Sequence, residues 1–462
     1  MFRTKKWALV STLLMLAALI LGACGAPAST GTGTSATTPA GSPAASAAPS
    51  PAESPAASAS AAPAATTSAG GAGKVEIFSW WTGPGEEEGK LAMYEIFKQR
   101  NPGIEIVDAT VTGGAGANAK TVLATRMAGN QPPDSFQVHA GQELVGTYVV
   151  AGKMEPITQL FKDEGWDKVM PKLLLDQITY QGEIYSVPVN IHRSNVLWYN
   201  KKIFDDNQLT PPKTMDEFFT VAEALKAKNI TPLAIGGGDK FATPHLFESV
   251  LLASFGADDY AKLFQDDTMW ADERTAQAIE TFGRMLSYAN ADRGSLKWQD
   301  AAGLVYDGKA AMTIMGDWAE GYFKGRGGQP NVEFGWAASP GTDGIFMWLS
   351  DSFGLPKNAP NRDAAIAWLK VAGSKEGQDA FNPKKGSIPA RTDADLSLYD
   401  AYLQYSIQSF AKDKLAPSIE HGAAAPTDFV TEYENAINVF AADQDVQTLV
   451  DALSDAASLM GQ

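Results

Sequence analysis

"KVEIFSWWTGPGEEEGKLAMYEIFKQRNPGIEIVDATV", residues 74–111, decides the fold class. Val75, Glu76, Ile77 and Phe78 alternate as a strand, then run into two adjacent tryptophans, a glycine turn and three glutamates. The next residues set Leu91, Tyr94 and Phe97 on one helical face and stop at Pro102-Gly103. "IEIVDATV" alternates again as a strand, "AGANAKTVLATRMAGN" reads as a second helix, and "PPDSFQVHAG" holds a third strand. Such a β-α-β-α-β order predicts an open, largely parallel sheet with ligands beyond the carboxyl ends of its strands. Trp80 and Trp81 at the first strand end, Thr112-Gly113-Gly114 after the second, and Gln137 and His139 at the third should therefore meet in one crevice. Gln137 and His139, two apart on a strand, point to the same side.

Outward from this core, the N-terminus reads as a leader. "MFRTKKWALVSTLLMLAALILGACG" has a basic head, an apolar run and small residues before Cys24, the pattern of a signal peptide over residues 1–23. "LGAC" resembles a bacterial lipobox, in which cleavage precedes a cysteine whose thiol carries the lipid. The competing reading is an uncleaved anchor with a chance cysteine. Cys24 is the one cysteine in the sequence, so no internal disulfide can form. Beyond it, residues up to 73 are nearly all Ala, Ser, Pro, Thr and Gly, too poor in apolar side chains to build a core. Residues 24–73 are thus expected to be a lipidated, disordered tether reaching about 40 Å.

The net charge of −16 disfavours nucleic-acid partners, because it repels phosphate backbones. The leader and tether carry three cations against one anion, so the remainder is more acidic still. It has the length for two lobes. "GEIYSVPVNIHRSNVLWYNKKIF" is extended, a helix-rich stretch runs from about Thr214 to Gly327, and "VEFGWAASPGTDGIFMWLSDSFGLPK" is strand-rich again. No metal or nucleophile pattern is expected. The four histidines (His139, His192, His245, His421) are far apart in sequence with no helical i, i+4 pair, and "AIGGGDKF" lacks phosphate-loop spacing.

Tryptophans beside polar groups do recur in glycine-punctuated loops: "SWWTGPGEEE", "KWQDAAG", "IMGDWAEGY" and "FMWLSDSFG". Trp166, Trp198, Trp336 and Trp368 read as ordinary core. The loop tryptophans fit a pyranose, whose C–H face covers an aromatic ring and whose hydroxyls need carboxylates and amides.

The lipobox, "NPGIEI", "YSVPVN", "LWYNKKIF", "GKAAMTIMGDWAEGYF" and "WLKVAGSKEGQDAFN" together resemble an extracellular solute-binding lipoprotein (family 1) of a bacterial ABC sugar importer. "VTGGAGANA", "PPDSFQVHAG", "SVPVNIHRSNVLWY", "LSDSFGLPK" and "EHGA" resemble its glucose-, mannose- and galactose-binding branch. The resemblance implies an α/β, two-lobed periplasmic-binding-protein type II fold, like that of maltose-binding protein, with the cleft between lobes and a hinge of extended crossings. It implies an N-terminal lobe of residues 74–188 and 349–396 and a C-terminal lobe of 189–348 and 397–462.

By the same resemblance, Trp80, Trp81, Trp298 and Trp318 stack on the sugar. Glu86, Gln137, His139, Asp351, Lys385 and His421 bond its hydroxyls, with Glu87 and Lys384 as neighbouring alternatives. His139 and His421 each need one ring nitrogen to donate and one to accept, and His245→Ala is expected to cost little affinity. Neither cofactor nor metal is implied. The partners are a monosaccharide and the permease's transmembrane subunits, with no nucleic acid; the expected protein is a monomer, lipid-anchored through Cys24 on the outer face of the cell membrane. The rival reading is a secreted glycoside hydrolase using Glu86 and Asp351, because paired carboxylates and aromatics also build those sites.

Overall fold

A computed structural model describes residues 73–461 except 114 and 115, so the leader, Cys24 and the tether lie outside the described residues. Strand Gly73–Phe78 pairs in parallel with Ile104–Asp108 and with Ser135–His139, as the opening pattern predicts. Two antiparallel strands, Asp351–Gly354 and Ser186–Pro188, extend this into a five-stranded sheet. The register sets Asp351 opposite His139 and Phe353 opposite Gln137, so residues more than 200 apart in sequence share one sheet end.

A second sheet orders Phe334–Ala338, Val196–Asn200, Ala310–Ile314 and Thr231–Leu233. Two of its strands fall inside the stretch read as helix-rich. "TPL" and "AAMTI" are short buried runs, and periodicity alone cannot tell such a run from a helical segment. A third sheet, of Ile388–Pro389, Asn190–Arg193, Ile345–Leu349 and Lys414–Pro417, stands between the other two in chain order. The chain passes from the first sheet to the third at Val189, and from the third to the first at Ser350. These two crossings are tied together: Val189 N–H donates to Asp351 O at 2.9 Å, Ser350 Oγ to Asn190 O at 2.6 Å, and Asp351 N–H to Asn190 Oδ1 at 2.8 Å.

Helix Glu86–Arg100 buries Lys90, Met93, Tyr94, Ile96 and Phe97, while Leu91 is 46% exposed. The expected stripe was therefore rotated. The helix lies against Lys375–Lys385, where Gly89 meets Phe381 directly, and this turns the Met93–Phe97 side inward. Trp166, Trp198 and Trp368 are core as expected; Trp336 is half-buried against Tyr402 and Tyr405. Around the first sheet the core is Phe78, Trp81, Phe97, Phe136, Phe353 and Trp368; around the second it is Leu197, Phe247, Trp270, Phe282 and Phe429.

Candidate functional site

Between these cores lies a small cleft lined by Trp80, Trp81, Glu86, His139, His192, Trp298, Trp318, Leu349, Asp351, Lys385 and His421. Element ends supply most of them. Glu86 opens its helix and Lys385 closes another, just before Gly386, whose φ of 84° stops the helix in the left-handed conformation. Trp298 and Trp318 each occupy the first position of a helix, and Asp351 begins its strand.

The three glutamates have separate tasks. Glu88 caps its own helix by accepting the Gly85 N–H at 2.6 Å, as a first-turn carboxylate does near the positive helix end. Glu86 accepts the Gly83 N–H at 3.1 Å and the Lys385 ammonium at 2.9 Å, and Glu87 is exposed. Lys384 is likewise exposed, so Glu86 and Lys385 are the cleft members of their pairs. Trp80 stands 5.2 Å from His139, centroid to centroid. Trp81 is fully buried against Phe381 and Phe353, and lends the cleft its edge. The indole N–H groups of Trp81 and Trp318 are buried without protein partners.

Asp351 is the hub. Its oxygens accept from Gln137 Nε2 at 2.9 Å and Asn190 Nδ2 at 2.8 Å, and lie 3.3 Å from His192 Nε2 and 3.6 Å from His139 Nε2. Burial pushes this carboxyl up, but the His192 bond and the charges of His192 and Lys385 outweigh it and hold Asp351 well below the usual range. Gln137 stands behind the cleft and does not line it. Its carbonyl takes Ser79 Oγ at 2.9 Å and Trp80 N–H at 3.2 Å, so it pins the tryptophan turn to Asp351.

His192, a residue the sequence reading passed over, lies between Asp351 and Asp317; its Nδ1 makes a very short contact to Asp317. Burial disfavours its charge, but the adjacent Asp317 carboxylate outweighs this and raises it above the ordinary histidine value. The separation of the histidines in sequence does not persist in space. His245, expected to matter little, sets Nδ1 3.1 Å from His421 Nε2, and His421 stands 5.9 Å from His139, ring to ring. Burial brings His245 down to about 3. Burial, helped by Lys120 and the histidines around it, pushes His421 well below its ordinary value. Glu248, within reach of both, is filled by Ser194 and Ser418 hydroxyls and the N–H groups of Ile419 and Glu420, which makes it a structural anchor.

The expected single crevice is in fact two spaces. Thr112 and Gly113 line a separate, polar groove of about 820 Å³ with Lys120, Glu143 and Thr427. Chemically, the smaller cleft offers aromatic faces, free indole donors, and carboxylates already matched by Lys385 and His192. It suits a neutral ligand rich in hydroxyls.

Four likenesses accompany this geometry. The profile described as bacterial extracellular solute-binding protein matches residues 71–379. An ABC transporter extracellular-binding protein of Pyrococcus horikoshii, described as uncharacterized, is 40% identical over 377 residues, covering 81% of this chain and 85% of its own. A "Probable sugar-binding periplasmic protein" of Mesorhizobium japonicum is 33% identical, over 83% of this chain and 94% of its own. The solved structure of a chitin oligosaccharide binding protein aligns with a TM-score of 0.75 at 22% identity, over 84% of this chain and 99% of its own. That likeness shows the two-lobed α/β fold of the maltose-binding-protein type.

Proposed function

The chain belongs to the bacterial extracellular solute-binding proteins, and from that premise we propose that it captures a monosaccharide for an ABC-type importer. The sugar is glucose, or its epimers mannose or galactose, delivered by lobe opening to the permease's transmembrane subunits. One observation carries this reading. The cleft is small, aromatic and internally charge-balanced, with Glu86 on Lys385 and Asp351 on His192. Four tryptophans, Glu86, Asp351 and Lys385 crowd into one small pocket, which suits one pyranose ring more than a chain of them. Trp80, Trp298 and Trp318 cover the ring faces, and Trp81 offers its edge. Glu86, His139, Asp351, Lys385 and His421 take the hydroxyls, and Gln137 acts by holding Asp351.

The lobes divide as 74–188 with 349–396, and 189–348 with 397–462, the hinge being the paired crossings at Val189 and Ser350. Ligand contact at Asp351 is then one residue from the hinge, which couples binding to closure. Cys24 carries the lipid and the tether spaces a monomeric binding domain from the membrane. Among the described residues no helix is long and apolar enough to cross a membrane. Catalysis is not part of this chemistry. A glycosidase needs one carboxyl kept protonated as an acid, whereas Asp351 is held ionised and Glu86 is salt-bridged.

The test is calorimetry against a panel of monosaccharides and disaccharides, with solution scattering. Glucose or an epimer should bind at micromolar Kd or tighter and yield a more compact particle; an absence of binding across the panel refutes the reading. Cys24→Ser should release the protein from membranes with sugar affinity unchanged, read by fractionation and calorimetry. A third expectation uses the histidines. Because burial keeps His421 neutral well below pH 6.5, His421→Gln should weaken binding by the same factor at pH 7 and pH 5. A factor that shrinks at pH 5 would mean that His421 protonates in that range after all.

A further inference from the structure

The groove and the cleft share a wall, and one side chain spans it. Glu143, in the π-helical segment Glu143–Val149, is buried, with Oε2 2.7 Å from His139 Nδ1 and 2.7 Å from Lys120 Nζ; its Oε1 lies 3.3 Å from the His139 backbone N–H. We propose that Glu143 and Lys120 are positioning residues for His139: the carboxylate fixes the tautomer that leaves Nε2 bare toward the cleft, and the ammonium holds that carboxylate in place. This rests on the sugar-cleft reading for its purpose, though not for its geometry.

An ionised carboxylate only accepts hydrogen bonds, so the nitrogen facing it must carry the proton. Glu143 is ionised: burial pushes it up, but Lys120 and then His139 bring it down to about 2. With Lys120 already matching its charge, the carboxylate needs only a donor from the ring, as second-row carboxylates set histidine tautomers at metal and catalytic sites. On the cleft side, Nε2 faces Asp351 Oδ1 across 3.6 Å, beyond ordinary hydrogen-bond length. A hydroxyl can therefore donate to the bare nitrogen.

Titratable groups face this ring from several elements. Asp351 faces it from the strand Asp351–Gly354, and carries the charges of His192 and Lys385 behind it. His421 faces it from the loop after strand Lys414–Pro417, with His245 beyond. Lys120, on helix Ala117–Ala128, also stands 5.9 Å from the Trp80 ring and feels Glu420 and Glu434. The segment that carries His421 also clamps Glu143. Glu143 N–H donates to Gly422 O at 2.8 Å, and a Cβ at Gly422 would meet the Glu143 Cβ at 2.6 Å.

The four histidines make the test direct. Histidine-selective ¹⁵N NMR on the sugar-free protein should show His139 with a protonated Nδ1 and a bare Nε2 at neutral pH. Glu143→Gln, whose amide can donate to or accept from Nδ1, should mix the two tautomers, whereas Lys120→Met, which keeps the carboxylate, should not. A purely structural role would leave the tautomer unchanged in Glu143→Gln. Glu143→Gln should also weaken glucose binding, and Glu143→Asp should restore part of it. A protonated Nε2 in the wild type, or an unchanged tautomer in a folded Glu143→Gln, overturns the proposal. Because the NMR readout needs no sugar, a failed sugar panel with the expected tautomer would sink only the functional reading, and the converse result only this one.

Discussion

Asp351→Ala is expected to lower monosaccharide affinity by at least about 100-fold, roughly 2.7 kcal/mol. Asp351 is the acceptor on which Gln137, Asn190 and His192 converge. Hydrogen bonds to charged groups contribute about 1.5–3 kcal/mol each, so losing two from a bound sugar reaches that figure. The substitution also strands the His192 ring with Asp317 alone and leaves two buried amides without an acceptor, and breaking such a pair destabilises by a few kcal/mol. The variant should therefore melt earlier, and affinity must be measured well below its transition, with circular dichroism confirming the fold. Asp351→Asn tests the charge itself: its amide brings a donor among the Gln137 and Asn190 donors, so it should bind nearly as poorly. Affinity within tenfold of wild type, in a folded variant, would place the sugar elsewhere.

The tryptophan-and-acid loops located the cleft, but what their acids do could not be read from spacing. In "KWQD", Asp300 caps the helix by accepting the Lys297 N–H at 3.1 Å. In "MGDW", Asp317 turns to His192 and the Arg193 N–H. A first-turn acid beside tryptophan has two outlets, the helix end or the ligand, and local sequence does not choose between them. His192 was missed for a related reason. "VNIHRSNV" reads as a buried strand, and the partner that gives its histidine a role lies 125 residues away. Glu143 shows no local signal beyond its i+4 spacing from His139. The parallel core was legible because strand period and helix stops are local; the antiparallel strand that brings Asp351 to His139 is set by long-range pairing, and only the family resemblance placed it. The two strands within the helix-rich stretch are three and five residues long, too short to carry a period.

Gly85→Ala should cost at least tenfold in affinity and abolish the ligand-induced compaction, whereas Gly165→Ala should do neither. Both glycines have positive φ, 83° and 66°, so alanine strains either by about 1–2 kcal/mol and each variant should melt a few degrees lower. They differ in what a new methyl group meets. At Gly165 nothing lies within 4 Å. At Gly85 a Cβ would stand 2.6 Å from the Lys384 carbonyl oxygen and 2.9 Å from the Gly321 carbonyl carbon, backbone atoms with no rotamer to move. Helix Trp318–Gly325 approaches along Gly321 and Gly325, four residues apart on one face, which meet Lys384, Lys385, Pro84 and Gly85. That helix carries Trp318 to the cleft, and Glu86 follows Gly85 directly, so a wedge here separates the two walls that must close on a sugar. If Gly85→Ala binds and compacts like the wild type, this backbone contact is not part of closure. Gly321→Ala, whose Cβ would stand 2.6 Å from the Lys385 carbonyl oxygen, should show the same loss without the φ strain, which isolates close approach as the cause.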